Sequence, residues 1–203
     1  DLKVENFEIS NYYSNKLTIS WDALSDCDKV TGYQIKVATT ETGLNNGTSY
    51  SVSGKDTDSY DVTNLNPATH YYFQIVPITN EGNGSKAKTD GVTLLDQNVN
   101  VSTSVIAQGG KKLVDVTWTA INNDNVGGYY VYYCTETDCS CTTKVDAGNV
   151  ASKQITGLEP ATTYYVKVVP YGKDTNHPSV GGDSNIANAK THIDENAKPE
   201  DVD

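Results

Sequence analysis

Leu65-Asn66-Pro67-Ala68-Thr69-His70-Tyr71-Tyr72-Phe73-Gln74-Ile75-Val76-Pro77 returns further along the chain as Leu158-Glu159-Pro160-Ala161-Thr162-Thr163-Tyr164-Tyr165-Val166-Lys167-Val168-Val169-Pro170. Each copy opens on a turn, where the missing N–H of Pro67 or Pro160 does no harm, and runs into the alternation of a half-buried strand. Working outward, Gly32-Tyr33-Gln34-Ile35-Lys36-Val37 pairs with Gly128-Tyr129-Tyr130-Val131-Tyr132-Tyr133, and Leu17-Thr18-Ile19-Ser20-Trp21 with Val114-Asp115-Val116-Thr117-Trp118. Period two puts Leu17, Ile19 and Trp21 on one face and Thr18 and Ser20 on the other, and repeats this with Val114, Val116 and Trp118. Three matched segments in the same order make the chain an internal duplication.

Composition agrees. The 203 residues suit two small domains, and 36% apolar content suits short strands that bury alternate side chains. Fourteen Tyr, 16 Gly and abundant Ser, Thr and Asn favour strands and turns over helices. No apolar run has the roughly 18 residues of a membrane helix, so no membrane insertion is expected within this chain. The 15 basic residues are all Lys and face 26 acidic ones. The resulting charge of -11 repels nucleic acid, and without Arg there is no bidentate clamp for phosphate. Met is absent even at the first position, which fits an excised piece of a longer protein.

In each copy a Trp ends one strand, a Gly-Tyr opens the next, and Leu-x-Pro-x-Thr-x-Tyr precedes an alternating strand. This combination resembles the fibronectin type III domain and covers the chain twice. The resemblance implies an all-β fold of two immunoglobulin-like, seven-stranded antiparallel sandwiches in tandem. It also makes Tyr71 and Tyr164 tyrosine corners and buries Trp21 and Trp118 between sheets. The expected boundaries are 1–95 and 96–193, with 194–203 an acidic linker or tail. The last strand of the first copy is expected over Lys86 to Leu94 and the first of the second near Val99. The short connector between them, Leu95-Asp96-Gln97-Asn98, predicts a semi-rigid pair.

Chemistry is sparse. His70, His177 and His192 fall in separate places, and no Gly-x-Ser-x-Gly, His-Glu-x-x-His or phosphate loop occurs. No catalytic residue, cofactor or metal site is therefore expected. The oxygen-rich loops Asp22 to Asp28 and Asn122 to Gly127 lack calcium-loop spacing and read as solvated turns.

The cysteines say more. Cys134, Cys139 and Cys141 crowd into eight residues, and Cys134 to Cys139 or Cys134 to Cys141 can close a local bridge. With His192 they also count as a zinc set, but Cys-x-Cys lacks the usual Cys-x-x-Cys bite, so one disulfide is the expectation. Cys27 has no partner in the first copy. In the fibronectin type III topology the loops after the second and third strands face opposite poles. Cys27 is then joined to the leftover cysteine of another molecule, head to tail, or is a free buried thiol or the partner of a domain outside this chain.

The copies also differ on the outer sheet face. If Tyr129, Val131 and Tyr133 point inward, Tyr130 and Tyr132 point outward, beside Tyr165, Lys167 and Val169 of the next strand. The first copy has Gln34, Lys36, Tyr72, Gln74 and Val76 there. Tyr130, Tyr132, Tyr165 and Val169 thus form a candidate binding face for protein or carbohydrate. The family resemblance adds the loops after the second and sixth strands. The longest is Gly172 to Ser184, with Lys173, Asp174 and His177 as candidate contacts. Asn46, Asn83 and Asn100 stand in glycosylation sequons, at a frequency chance alone would give.

The expected role is a non-catalytic structural or adhesive module of a larger cell-surface or secreted assembly, such as a filament or matrix. It would bind protein partners, or itself, through strand faces and loops. The alternatives are a spacer or carbohydrate-contacting module of a secreted polysaccharide-degrading enzyme, and a ligand-binding receptor ectodomain.

Overall fold

The structure is a computed structural model, which describes residues 2–101 and 103–193; the expected tail over 194–203 lies outside the described residues. It divides into two compact units between Leu94 and Leu95. Unit 1 places β1 (Glu8–Tyr12), β2 (Lys16–Ser20) and β5 (Ser59–Thr63) in one antiparallel sheet. Its second sheet contains β4 (Thr48–Ser53), β3 (Val30–Ala38), β6 (His70–Thr79), the two-residue β7 (Gly82–Asn83) and β8 (Ala87–Val92). Unit 2 repeats the plan. One sheet has the order β13 (Ser152–Thr156), β10 (Leu113–Thr117), β9 (Ile106–Gly110). The other is β12 (Lys144–Gly148), β11 (Val126–Cys134), β14 (Thr163–Gly172), β15 (Ala187–Lys190). The first strand of unit 2 starts at Ile106 rather than near Val99. The segment before it carries buried Val101 and Val105 without joining a ladder.

Alternation builds both cores. Leu17 and Ile19 of β2 and Tyr33, Ile35 and Val37 of β3 are buried, as are Val114, Val116, Tyr129 and Val131 in unit 2. Trp21 meets Tyr33 with centroids 5.2 Å apart, and Trp118 meets Tyr129 at 5.4 Å. These large inward rings pack together with the buried aliphatic side chains of both sheets.

The repeated turn is held the same way twice. The Tyr71 hydroxyl accepts a hydrogen bond from the Asn66 N–H at 2.9 Å, and that of Tyr164 from the Glu159 N–H at 3.1 Å. A buried threonine closes each corner. Thr93 donates to the Asn66 carbonyl and accepts from the Thr69 N–H; Thr191 does the same with Glu159 and Thr162. Buried hydroxyls are stable there because both their donor and acceptor capacities are met. Ala68 and Ala161 take left-handed backbone angles, φ 47° and 52°, to turn the chain after each proline.

Candidate functional site

The face of β11 that points away from the core carries Tyr130, Tyr132 and Cys134. The β14 register sets them opposite Val169, Lys167 and Tyr165. On the other side β12 sets Asp146 beside Tyr130 and Lys144 beside Tyr132. This outer face is largely self-covered. The Lys144 Nζ sits 3.8 Å above the Tyr130 ring, and Lys144 and Lys167 each stand 5.5 Å from the Tyr132 ring. Lys167 also pairs with Asp183 at 2.8 Å, which holds its ammonium above its ordinary pKa. Val169, expected among the exposed contacts, is only 4% exposed and packs beneath its neighbours on the sheet instead of meeting solvent. Tyr165 is half-buried and gives its carbonyl to the Cys139 thiol.

The accessible part of this face is a cleft of about 610 Å³ where the strand residue Tyr130 meets the long loop. Tyr130 and Tyr171 form its aromatic floor, with centroids 4.6 Å apart. Lys173, Asp174, Pro178 and Val180 make the loop wall, and Asp146 the opposite one. Two glycines admit this arrangement. A Cβ on Gly128 would run into the Tyr171 ring, and one on Gly127 into the backbone of Gly172 and Lys173.

The loop is ordered by its own bonds. Gly172 N–H donates to the Ser179 carbonyl at 2.8 Å and Gly181 N–H to the Pro170 carbonyl at 2.8 Å, while Tyr171 and Val180 form a bridge. At the tip, the Asp174 carboxylate takes the Asn176 N–H at 2.9 Å and meets the His177 ring at 2.8 Å. The His177 contact leads in holding Asp174 below its ordinary value of 3.8. Of the candidate loop contacts, Lys173 and Asp174 line the cleft, and His177 braces Asp174.

Tyr171 and Asp146 belong to the site although neither stood among the candidates. The Tyr171 hydroxyl donates to Asp146 at 3.1 Å; burial first, and that bond second, push the phenol up. Asp146 also accepts from the Gly148 N–H at 2.8 Å. Its carboxylate thus fixes the tilt of the Tyr171 ring, and an apolar floor edged by charge suits one apolar side chain with a polar neighbour.

The three histidines occupy separate places. His70 opens β6 and meets Asp90 at 2.7 Å, His177 braces the loop, and His192 follows β15 in a bridge to Lys111. Cys27 lies in the β2–β3 loop, half-buried against the unit 1 core. Asn46 and Asn83 are exposed, and Asn100 is half-buried with its amide on the Gln97 carbonyl at 3.0 Å. Among the described residues, no helix is long and apolar enough to cross a membrane.

The sequence profile of the fibronectin type III domain matches residues 2–90 and again residues 100–180. Tenascin-N of Mus musculus is 30% identical over 109 residues, which cover 54% of this chain and 7% of that protein. A Kelch domain-containing protein of Sulfurisphaera tokodaii is 26% identical over 137 residues, covering 66% of this chain and 18% of that one. The chain therefore spans a small fraction of the length of the curated relatives it matches. Among solved structures, a segment of two fibronectin type III domains from chicken tenascin aligns with a TM-score of 0.44 at 16% identity. That alignment covers 92% of this chain and 97% of that one.

Proposed function

The chain belongs to the fibronectin type III family, and from that premise we propose that it is a non-catalytic structural or adhesive module of a larger cell-surface or secreted assembly. The unit 2 cleft is its docking site for a protein partner. The observation that carries this reading is the cleft itself: a loop longer than its unit 1 counterpart, folded against a tyrosine pair on a rigid sheet. Long loops on rigid scaffolds gather binding residues, and paired tyrosines offer contact area at low entropic cost. The net charge of -11 favours a basic partner, so the segment that fits presents an apolar side chain beside a Lys or Arg.

The test is binding of the labelled full chain to arrays of basic peptides containing aromatic or aliphatic residues, with polysaccharide fragments alongside. Peptide binding that disappears in Tyr171→Ala, with the chain still cooperatively folded at the assay temperature, supports the proposal. Binding confined to saccharides moves the assignment to a carbohydrate-contacting module. Binding untouched by Tyr171→Ala removes the cleft from the function. Antibody labelling of intact against permeabilised producing cells tests the extracellular location, and label that needs permeabilisation contradicts it.

A further inference from the structure

A second cluster lies apart from the cleft. The sulfurs of Cys134, Cys139 and Cys141 stand within 4.8 Å of one another, and among the described residues no other group of three or more His, Cys, Asp or Glu side chains is placed to hold a metal. We propose that these three sulfurs bind one thiophilic d10 cation, Cu+ or Zn2+, as thiolates. Three thiolates around a single ion at about 2.3 Å each stand about 4 Å apart, so the observed spread closes by side-chain rotation. Soft sulfur donors select Cu+ and Zn2+ over harder ions. Trigonal Cu+ is satisfied by the three sulfurs, whereas Zn2+ completes a tetrahedron with water. His192, a candidate fourth ligand in the sequence, is not part of the group.

The fold brings the sulfurs together from two elements. Cys134 ends β11 on its outer face, and the following loop turns back so that Cys139 points down onto the sheet. Cys139 takes a left-handed φ of 46°, is 0% exposed, and lies against the carbonyls of Tyr132 at 3.9 Å and Tyr165 at 3.5 Å. A non-glycine residue holds such an angle only where its surroundings determine it. Packing alone does not account for three sulfurs. The corresponding loop of unit 1, between β3 and β4, fills its place on the outer face with Leu44, which is 3% exposed.

Electrostatics fit a site that loads by exchanging protons for metal. Without a cation Cys134 and Cys139 stay protonated: burial pushes Cys134 up to about 11, and burial with the neighbouring sulfurs pushes Cys139 up to about 12. Loading breaks three S–H bonds, sends three protons to the buffer and forms three S–metal bonds, with no change of oxidation state. The Lys167 ammonium, held by Asp183, is close enough to Cys139 and Cys141 to offset part of the charge of their thiolates once metal is bound. Bound metal and an internal disulfide exclude each other, because the same sulfurs serve both.

The experiment uses the full chain, reduced and desalted without oxygen. It is titrated with Cu+ against a chromogenic Cu+ chelator and, in a separate arm, with Zn2+ against a chromogenic Zn2+ chelator. Thiol alkylation is mapped by peptide mass. The expected result is one equivalent bound in at least one arm, with Cys134, Cys139 and Cys141 protected and Cys27 not. Cys141→Ser, which spares the buried Cys139, is expected to weaken binding by more than the roughly 10–100-fold that loss of an outer-shell partner costs. Cys27→Ser leaves it unchanged. Equal alkylation with and without either metal overturns the proposal and leaves a packed thiol plug. A disulfide that forms among the three in air despite equimolar metal overturns it in favour of a bridge.

Discussion

The two units share a core and differ on one outer face. Where unit 2 has Tyr130, Tyr132, Asp146 and Tyr171, the register of unit 1 puts Gln34, Lys36, Ser51 and Ile78. Where unit 2 continues β14 into the long loop to Ser184, unit 1 turns tightly through β7, with the Thr79 hydroxyl on the Gly82 carbonyl at 2.7 Å. Inward positions stay apolar, with Trp21/Trp118 and Tyr33/Tyr129 kept while Leu17, Ile19, Ile35 and Phe73 give way to Val114, Val116, Val131 and Val166, whereas the outer face changes in polarity and charge. Under the proposed function, this difference would place the specialised surface on unit 2 and leave unit 1 as scaffold.

The largest difference between the units is expected at the two loop plugs. Leu44→Ala should cost about 2–5 kcal/mol, the range for a buried leucine emptied to a cavity. Cys139→Ala in the reduced, metal-free chain removes a single sulfur and should cost only about 1 kcal/mol. Urea unfolding of the full chain checks the order; a Cys139→Ala cost equal to that of Leu44→Ala would show that the thiol is as structural as the leucine.

Next in size is Gly128→Ala, whose Cβ meets the Tyr171 ring and should cost about 1–3 kcal/mol as overpacking. The ring would leave the cleft floor, so binding should fall with stability. Tyr171→Phe, by contrast, loses only the hydroxyl bond to Asp146, about 0.5–1.5 kcal/mol, while keeping the floor. If Tyr171→Phe abolishes binding, the hydroxyl rather than the ring is the contact.

Acid separates the units by local order. Asp174 is held below its ordinary 3.8 by His177, so its contribution to loop order is complete above that value and is lost as pH falls through the lower, folded value. Asp61 in unit 1 is likewise depressed, by Lys16 and then Thr18, but these groups brace β2 against β5 rather than a loop. Hydrogen exchange below pH 3.8 should therefore show 173–180 opening while 59–63 stays protected by its ladder. The smallest effect is at the repeated turn, where Ala161→Gly relieves a left-handed alanine. About 1–2 kcal/mol of strain less about 0.5–1 kcal/mol of glycine entropy leaves a small gain in melting temperature.

The shared core was legible in the sequence because Trp21 and Trp118, Tyr33 and Tyr129, and the two Leu-x-Pro-x-Thr-x-Tyr turns repeat in order, and alternation alone assigns their faces. Half of the candidate site was legible for the same reason: Tyr130 follows from parity on β11, and the loop length flags Lys173 and Asp174. Tyr171 shares the parity of Tyr165 and Lys167, but Pro170 and Gly172 around it imitate the end of a strand that in fact runs through Gly172. Asp146 needed the pairing of β12 with β11, which no local pattern specifies. Crowding of Cys134, Cys139 and Cys141 is visible in the chain. Their convergence depends on the backbone turn at Cys139, a left-handed angle that the residue type does not announce. Val169 shows the reverse limit, since correct parity placed it on the outer face and the covering side chains buried it.

On the proposed function, the outer face of unit 2, and not that of unit 1, is the binding surface. Replacing Tyr130 and Tyr171 by the residues unit 1 carries, Tyr130→Gln with Tyr171→Ile, tests it directly when peptide-array binding and thermal melting are measured on the same sample. The expected result is that binding is lost while the chain stays folded, with melting lowered by no more than the Tyr171–Asp146 bond and the ring contacts of Tyr130 contribute. Binding retained at full strength in the doubly substituted chain would contradict it.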